Sequence, residues 1–147
     1  MPEDPEAYQP DNIFAKILDG VFPSYKVFED ETAVAILDAF PVAPGHTLLL
    51  PKKRGYRSVM DMPETDAGEF LKLVPKIAAA VKAGTGADAV NVLTNLGAAS
   101  GQVVFHPHVH FIPRYKDDGL WKPPASAKDK IADEDANAML EKIKAKL

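Results

Sequence analysis

A chain of 147 residues, 46% of them hydrophobic, has enough apolar material for one substantial core, so a single domain is expected. Its net charge of −4 comes from acids and bases scattered along the sequence, which leaves no broad electropositive face and excludes nucleic acid as the principal partner. With no cysteine, the chain has no disulfides, no thiolate nucleophile and no cysteine-held zinc or iron–sulfur site.

The opening MPEDPEAYQP is acidic and proline-rich where a signal peptide is basic and then apolar, and no apolar run approaches membrane-spanning length. Residues 1–11 read as a disordered tail on a cytoplasmic protein without a membrane partner. Ile13, Phe14, Ile17 and Leu18 then follow helical spacing, with Gly20 as a stop. SYKVFED and TAVAILDAF are β-rich runs meeting at Asp30 and Glu31, which predicts a hairpin, and HTLLLPKK makes a third strand after the PVAPG turn. Lys52, Lys53 and Arg54, the one basic cluster, read as a solvated strand end.

Between Glu64 and Lys82 the apolar residues Phe70, Leu71, Val74, Ile77, Ala78 and Val81 keep helical register, with carboxylates early and Lys82 late. One long helix is predicted, kinked at Pro75, because an interior proline costs about 3 kcal/mol unless the helix bends. Two more strands, AVNVLTN and QVVFHPHVHFIPR, flank the loop LGAASG. Strands outnumber helices and neighbours can pair antiparallel, so the class is α+β. After WKPP, Ala136, Leu140, Ile143 and Leu147 mark one face of a C-terminal helix expected to pack back on the domain.

Three of the four histidines fall in HPHVHF, residues 106–111. In an extended chain His106, His108 and His110 share one face while Phe105, Val109 and Phe111 share the other. Three readings follow. The rings are solvent-side polar residues, but three in register flanked by Val104 and Ile112 on the same face make a poor solvent surface. They are metal ligands, although at roughly 3.3 Å per residue the first and third Cα atoms lie about 13 Å apart, so two of them plus His46 would have to do the work. Or one neutral imidazole is a nucleophile: a hydrogen bond at one ring nitrogen fixes the tautomer, the other nitrogen attacks phosphorus, and neighbouring rings donate to phosphoryl oxygens.

NIFAKILDGVFPSYKVFEDETAVAILDAFPVAPGHTLLLPKK, followed by TNLGAASGQVVFHPHVHFIPR, resembles the histidine triad (HIT) family in its nucleotide-binding, Hint-like branch, whose signature alternates three histidines with apolar residues. The resemblance implies a HIT domain over 12–121, with a C-terminal extension over 122–147. It implies a five-stranded antiparallel sheet with a long helix, a short N-terminal helix and a C-terminal helix. It also implies purine mononucleotide binding and cleavage at the α-phosphate through a nucleotidyl-histidine intermediate.

By the same resemblance His108 is the nucleophile, His110 contacts the phosphate, and His106 and His46 support them. Asp38 bonds the ribose hydroxyls, and Phe14, Ile17, Leu37 and Ala39 line the base site. Asn95, Gly101, Gln102 and Val103 approach ribose and phosphate, with Gln102 assisting the leaving group or water. Trp121 resembles a tryptophan that reaches toward the partner's site in a homodimer. No cofactor and no catalytic metal are implied. The activity implied first is hydrolysis of purine nucleoside 5′-phosphoramidates to AMP or GMP. Dinucleoside polyphosphate hydrolysis is the alternative within the family, and a metal-binding protein or a non-catalytic nucleotide sensor stands outside that chemistry.

Three departures from the family pattern stand out. Asn12 and Ala15 occupy positions where many microbial members carry a zinc-holding Cys-x-x-Cys, Val103 stands where a hydroxyl is common, and Pro107 interrupts the predicted strand without an amide to donate.

Overall fold

The computed structural model describes residues 3–147. Five strands form one antiparallel sheet: β1 (Lys26–Glu29), β2 (Ala33–Leu37), β3 (Thr47–Pro51), β4 (Ala89–Leu93) and β5 (Val109–Arg114), in spatial order β1-β2-β3-β5-β4. The hairpin expected around Asp30 is present: Asp30 Oδ1 accepts from the amides of Thr32 and Ala33 at 2.7 and 2.8 Å, closing the turn with its own side chain. The α+β class and the five-stranded sheet expected from the sequence are both observed.

Period-two alternation gives the sheet two unlike sides. On one side Ala33, Ala35, Leu49, Val109 and Phe111 pack against Phe70, Leu73, Ile77 and Val81 of the helical segment, the larger of the two buried clusters. On the other side Val34, Ile36, Leu48 and Leu50 meet Phe14 of the short helix α1 (Ile13–Leu18), with Ile17, Leu18 and Val104 at its edge. His110 lies opposite Leu48 on β3, between the helix-facing Val109 and Phe111, so its imidazole is delivered to the α1 side.

The long helix expected over 64–82 is two helices, α2 (Glu64–Leu71) and α3 (Val74–Thr85), parted at Lys72 and Leu73. Pro75 explains the break: in the first turn of α3 its missing N–H costs nothing, whereas in a continuous helix its ring would collide with the carbonyl of Leu71. Gly86 ends α3 in the left-handed region at φ 68°.

The strand expected over QVVFHPHVHFIPR is much shorter, beginning only at Val109. Pro107 lies before it, so no ladder bond is lost there. Pro113 is inside β5, but β3 pairs with β5 only through residues 109–111, and Pro113 faces β4 alone.

Residues 3–11, expected as a loose tail, lie against the domain: Arg57 Nη1 bonds Asp4 at 3.4 Å, Ala98 N–H donates to Glu6 at 3.3 Å, and the Tyr8 ring approaches His106. The C-terminal helix α4 (Asp133–Lys144) forms as expected but does not pack back on the domain. Met139, Leu140, Ile143 and Leu147 are all exposed. Among the described residues no helix is long and apolar enough to cross a membrane.

Candidate active site

Each imidazole reaches the α1 side of the sheet by a local rule. His46 precedes β3 and shares a face with Leu48, two residues on, while His110 sits opposite Leu48. The Asp38 amide donates to the His46 carbonyl at 2.8 Å, extending the β2–β3 ladder one step beyond the strands. His108 ends the loop entering β5, and Thr94 Oγ1 donates to its carbonyl at 2.7 Å.

Ring protons can be assigned from hydrogen-bond partners. The amide of Val42 donates to His46 Nδ1 at 3.2 Å, so the proton of His46 is on Nε2, directed at His110 Nδ1 3.0 Å away. His110 therefore carries its own proton on Nε2. His108 Nδ1–H donates to the carbonyl of His106 at 2.7 Å, leaving Nε2 with its lone pair and no partner among the described residues. His106 accepts from Asn12 Nδ2 at Nδ1 and donates from Nε2 to the Pro51 carbonyl, both at 3.4 Å.

Burial lowers the pKa of all four rings. His106 and His110 fall to about 4, the Pro51 carbonyl opposing the effect at His106 and the charge on neighbouring rings adding to it. His46 and His108 move the same way; the Asp38 carboxylate resists at His46, and the His106 carbonyl resists at His108. Neutral imidazoles at pH 7 are the result, which the assigned tautomers require.

A cavity of about 500 Å³ opens beside these rings, within the size range of small-molecule sites. Of the residues expected around a nucleotide, Phe14, Ile17, Leu37, Asp38, Ala39, Asn95, Gly101, Val103, His108 and His110 line it. Its wall is mostly apolar, with the Asp38 carboxylate, the Tyr25 hydroxyl and two imidazoles among its polar groups. Asp38 Oδ1 is held by the Phe40 amide at 2.8 Å. The rings of His108 and His110 meet edge to face at 4.9 Å between centroids, so a lone pair and an N–H donor lie side by side. His46 and His106 are behind this surface, hydrogen-bonded as above.

Two expected site residues are elsewhere. The Gln102 side chain is buried and spent on backbone: Oε1 accepts from Gly97 N–H at 2.8 Å, and Nε2 donates to the carbonyls of Arg57 and Val104 at 2.6 and 3.1 Å. With both amide hydrogens engaged it braces the loop before the triad rather than facing the cavity. Trp121 is half exposed and does not line the cavity of its own chain, its carbonyl accepting from Arg114.

Residues missed from the sequence include Pro23, Ser24, Tyr25 and Phe40 at the cavity mouth, and Asn12 and Thr94 behind the triad. Tyr25 falls in a run that reads as strand although β1 begins at Lys26, and Phe40 sits in a turn where no periodicity marks it. A metal reading is also narrowed. Asp38, His46 and His110 bring one donor atom each within 4.8 Å of the others, a set that leaves out His106 and His108 and competes with the His46–His110 hydrogen bond.

Residues 19–117 match the HIT domain family. The chain is 42% identical over 113 residues to adenylylsulfatase HINT3 of Arabidopsis thaliana, covering 77% of this chain but 57% of the plant protein. Among solved structures, a member of the HIT family from Bacillus subtilis superposes with a TM-score of 0.86 at 38% identity, covering 93% of this chain and 97% of that one. The histidine triad nucleotide-binding protein from Candida albicans gives a TM-score of 0.79 at 28% identity, covering 92% of this chain and 96% of its own. By sequence, fold and the His-x-His-x-His segment beside an apolar cavity, the chain belongs to the histidine triad (HIT) family.

Proposed function

We propose that the protein is a nucleotidyl hydrolase that cleaves purine nucleoside 5′-phosphoramidates, with His108 as the nucleophile. The observation that carries this reading is the His108 ring. Nδ1–H is tied to the His106 carbonyl at 2.7 Å, so the free lone pair is at Nε2, on a residue lining the cavity. In the first step Nε2 bonds to the α-phosphorus and the phosphorus–nitrogen bond breaks, its electron pair leaving with the amine, which takes a proton from water and leaves hydroxide. In the second step water attacks the nucleotidyl-imidazolium and gives its proton to that hydroxide, the Nε2–phosphorus bond breaks with its electron pair returning to His108, and AMP or GMP departs.

His110, a donor by its tautomer, faces the phosphoryl oxygens as charge builds on them, and His46 fixes that tautomer from behind. Asp38 accepts from the ribose hydroxyls, Phe14, Ile17, Leu37 and Ala39 enclose the base, and Asn95, Gly101 and Val103 border the ribose and phosphate. No metal or cofactor takes part. A homodimer belongs to the same reading, with Trp121 reaching the site of a second copy.

A sulfate leaving group is the second reading, favoured by the adenylylsulfatase among the relatives. Both readings use the same nucleophile. Turnover of adenosine 5′-phosphoramidate, adenylyl sulfate and diadenosine tetraphosphate by the wild type and His108→Ala tests them. The proposal expects the phosphoramidate to be the best substrate, a loss of at least a thousandfold in His108→Ala, and an adenylyl adduct on His108 by mass spectrometry. Equal activity in the two proteins would refute it, and a preference for adenylyl sulfate would replace the leaving group while keeping the nucleophile.

A further inference from the structure

We propose that Asn12 is a positioning residue: its side-chain amide fixes the ring of His106 and, through the His106 carbonyl, the tautomer of His108. The inference rests on the role proposed above for His108. Asn12 uses every polar atom of its side chain. Oδ1 accepts from the amides of Phe14 and Ala15, both at 3.0 Å, capping α1, while Nδ2 donates to the Gln9 carbonyl at 2.8 Å and to His106 Nδ1 at 3.4 Å.

The ring it holds is fully buried. Tyr8 lies tilted against it at 5.9 Å between centroids, Phe14 meets it edge-on at 6.0 Å, and the Pro51 carbonyl takes Nε2–H. The ionisable groups acting on the ring are His108 and Arg54, both of which disfavour a second proton. A neutral donor at Nδ1 and the Pro51 carbonyl at Nε2 together keep the His106 proton on Nε2, and an amide supplies that donor without introducing charge. The carbonyl of this anchored residue then stands 2.7 Å from His108 Nδ1.

Cap and donor are separable by substitution. Asn12→Asp keeps an oxygen for the α1 amides but presents only acceptors to His106, forcing its proton to Nδ1 or inviting a second one. Asn12→Ser caps through its hydroxyl, is too short to reach the ring, and adds no charge. Imidazole nitrogen NMR of the free proteins reads the tautomers directly. For Asn12→Asp the expected result is a changed His106 tautomer with its pKa raised by at least one unit. For both variants kcat on adenosine 5′-phosphoramidate should fall at least tenfold with KM within twofold, and in Asn12→Asp the acid limb of kcat should move to higher pH.

Nitrogen shifts of His106 and His108 that are unchanged in both variants would overturn the inference whatever the activity. Altered shifts with unchanged kcat would overturn the link to His108. If the wild type itself fails to turn over the phosphoramidate, the functional reading fails, and the nitrogen spectra still decide whether Asn12 sets the tautomers.

Discussion

Acid should unfold this protein by charging imidazoles that the fold keeps neutral. His106 and His110 are held near a pKa of about 4 by burial, whereas an imidazole in an unfolded chain titrates near 6.5. Between those values the unfolded chain binds protons that the folded chain refuses. The stabilisation is therefore complete above pH 6.5 and is lost as pH falls through about 4. Each such ring accounts for about 1.4 kcal/mol per pH unit in that window, or about 3 kcal/mol in all. Against a total of roughly 5–15 kcal/mol for a small domain, two of them decide whether the chain is folded at pH 4. Asp19, Glu29, Asp61 and Asp66 are lowered below ordinary carboxylate values by their ion-pair and hydrogen-bond partners, so their contribution is lost at still lower pH. Urea unfolding followed by far-ultraviolet circular dichroism at half-unit steps from pH 7.5 to 4.5 measures the slope. The His106→Asn variant should be shallower by one proton, about 1.4 kcal/mol per unit. Superimposable slopes would refute the assignment of His106 as a buried, uncharged ring.

Gln102→Ala strips three hydrogen bonds from the loop before the triad and leaves a half-buried N–H and two carbonyls without their side-chain partner; the expected loss in chemical denaturation is about 1–3 kcal/mol, with KM raised more than kcat is lowered. Pro107→Val should leave turnover within threefold, because the residue precedes β5 and gives up no ladder bond; a tenfold change in kcat would show that the proline aims His108. Truncation after Ala125 should move the thermal midpoint by less than about 2 °C at low protein concentration, since the apolar face of α4 is exposed in the chain; a larger drop would place α4 in the core.

The sheet was legible because its strands are β-branched or alternating and separated by turn residues. The cavity was legible only through resemblance: Leu37, Asp38 and Ala39 carry no signal of their own, yet sit side by side where β2 runs into the cavity wall. The sequence misleads where a pattern is continuous but the backbone is not. Apolar residues keep helical register across Leu71, Val74 and Ile77, and nothing but Pro75 announces the break between α2 and α3. Likewise the period-two pattern from Phe105 to Phe111 outlasts the strand, so three histidines that alternate in sequence reach one site by different routes, only His110 from within β5. Gln102 shows the opposite limit, since a motif position conveys the residue type and not where its amide hydrogens go. Tertiary placement of the α4 face could not be read from its periodicity either, because an amphipathic stripe states that something is to be covered without naming the cover.

In β5 the count of residues is itself a constraint. Val109 and Phe111 enter the hydrophobic cluster beneath α2 and α3 while His110, between them, enters the chamber on the opposite side. Inserting or deleting one residue in this strand would swap the two destinations, driving an imidazole into the hydrophobic cluster and a phenyl ring into the chamber. This strand can tolerate changes of side chain more readily than a change of number.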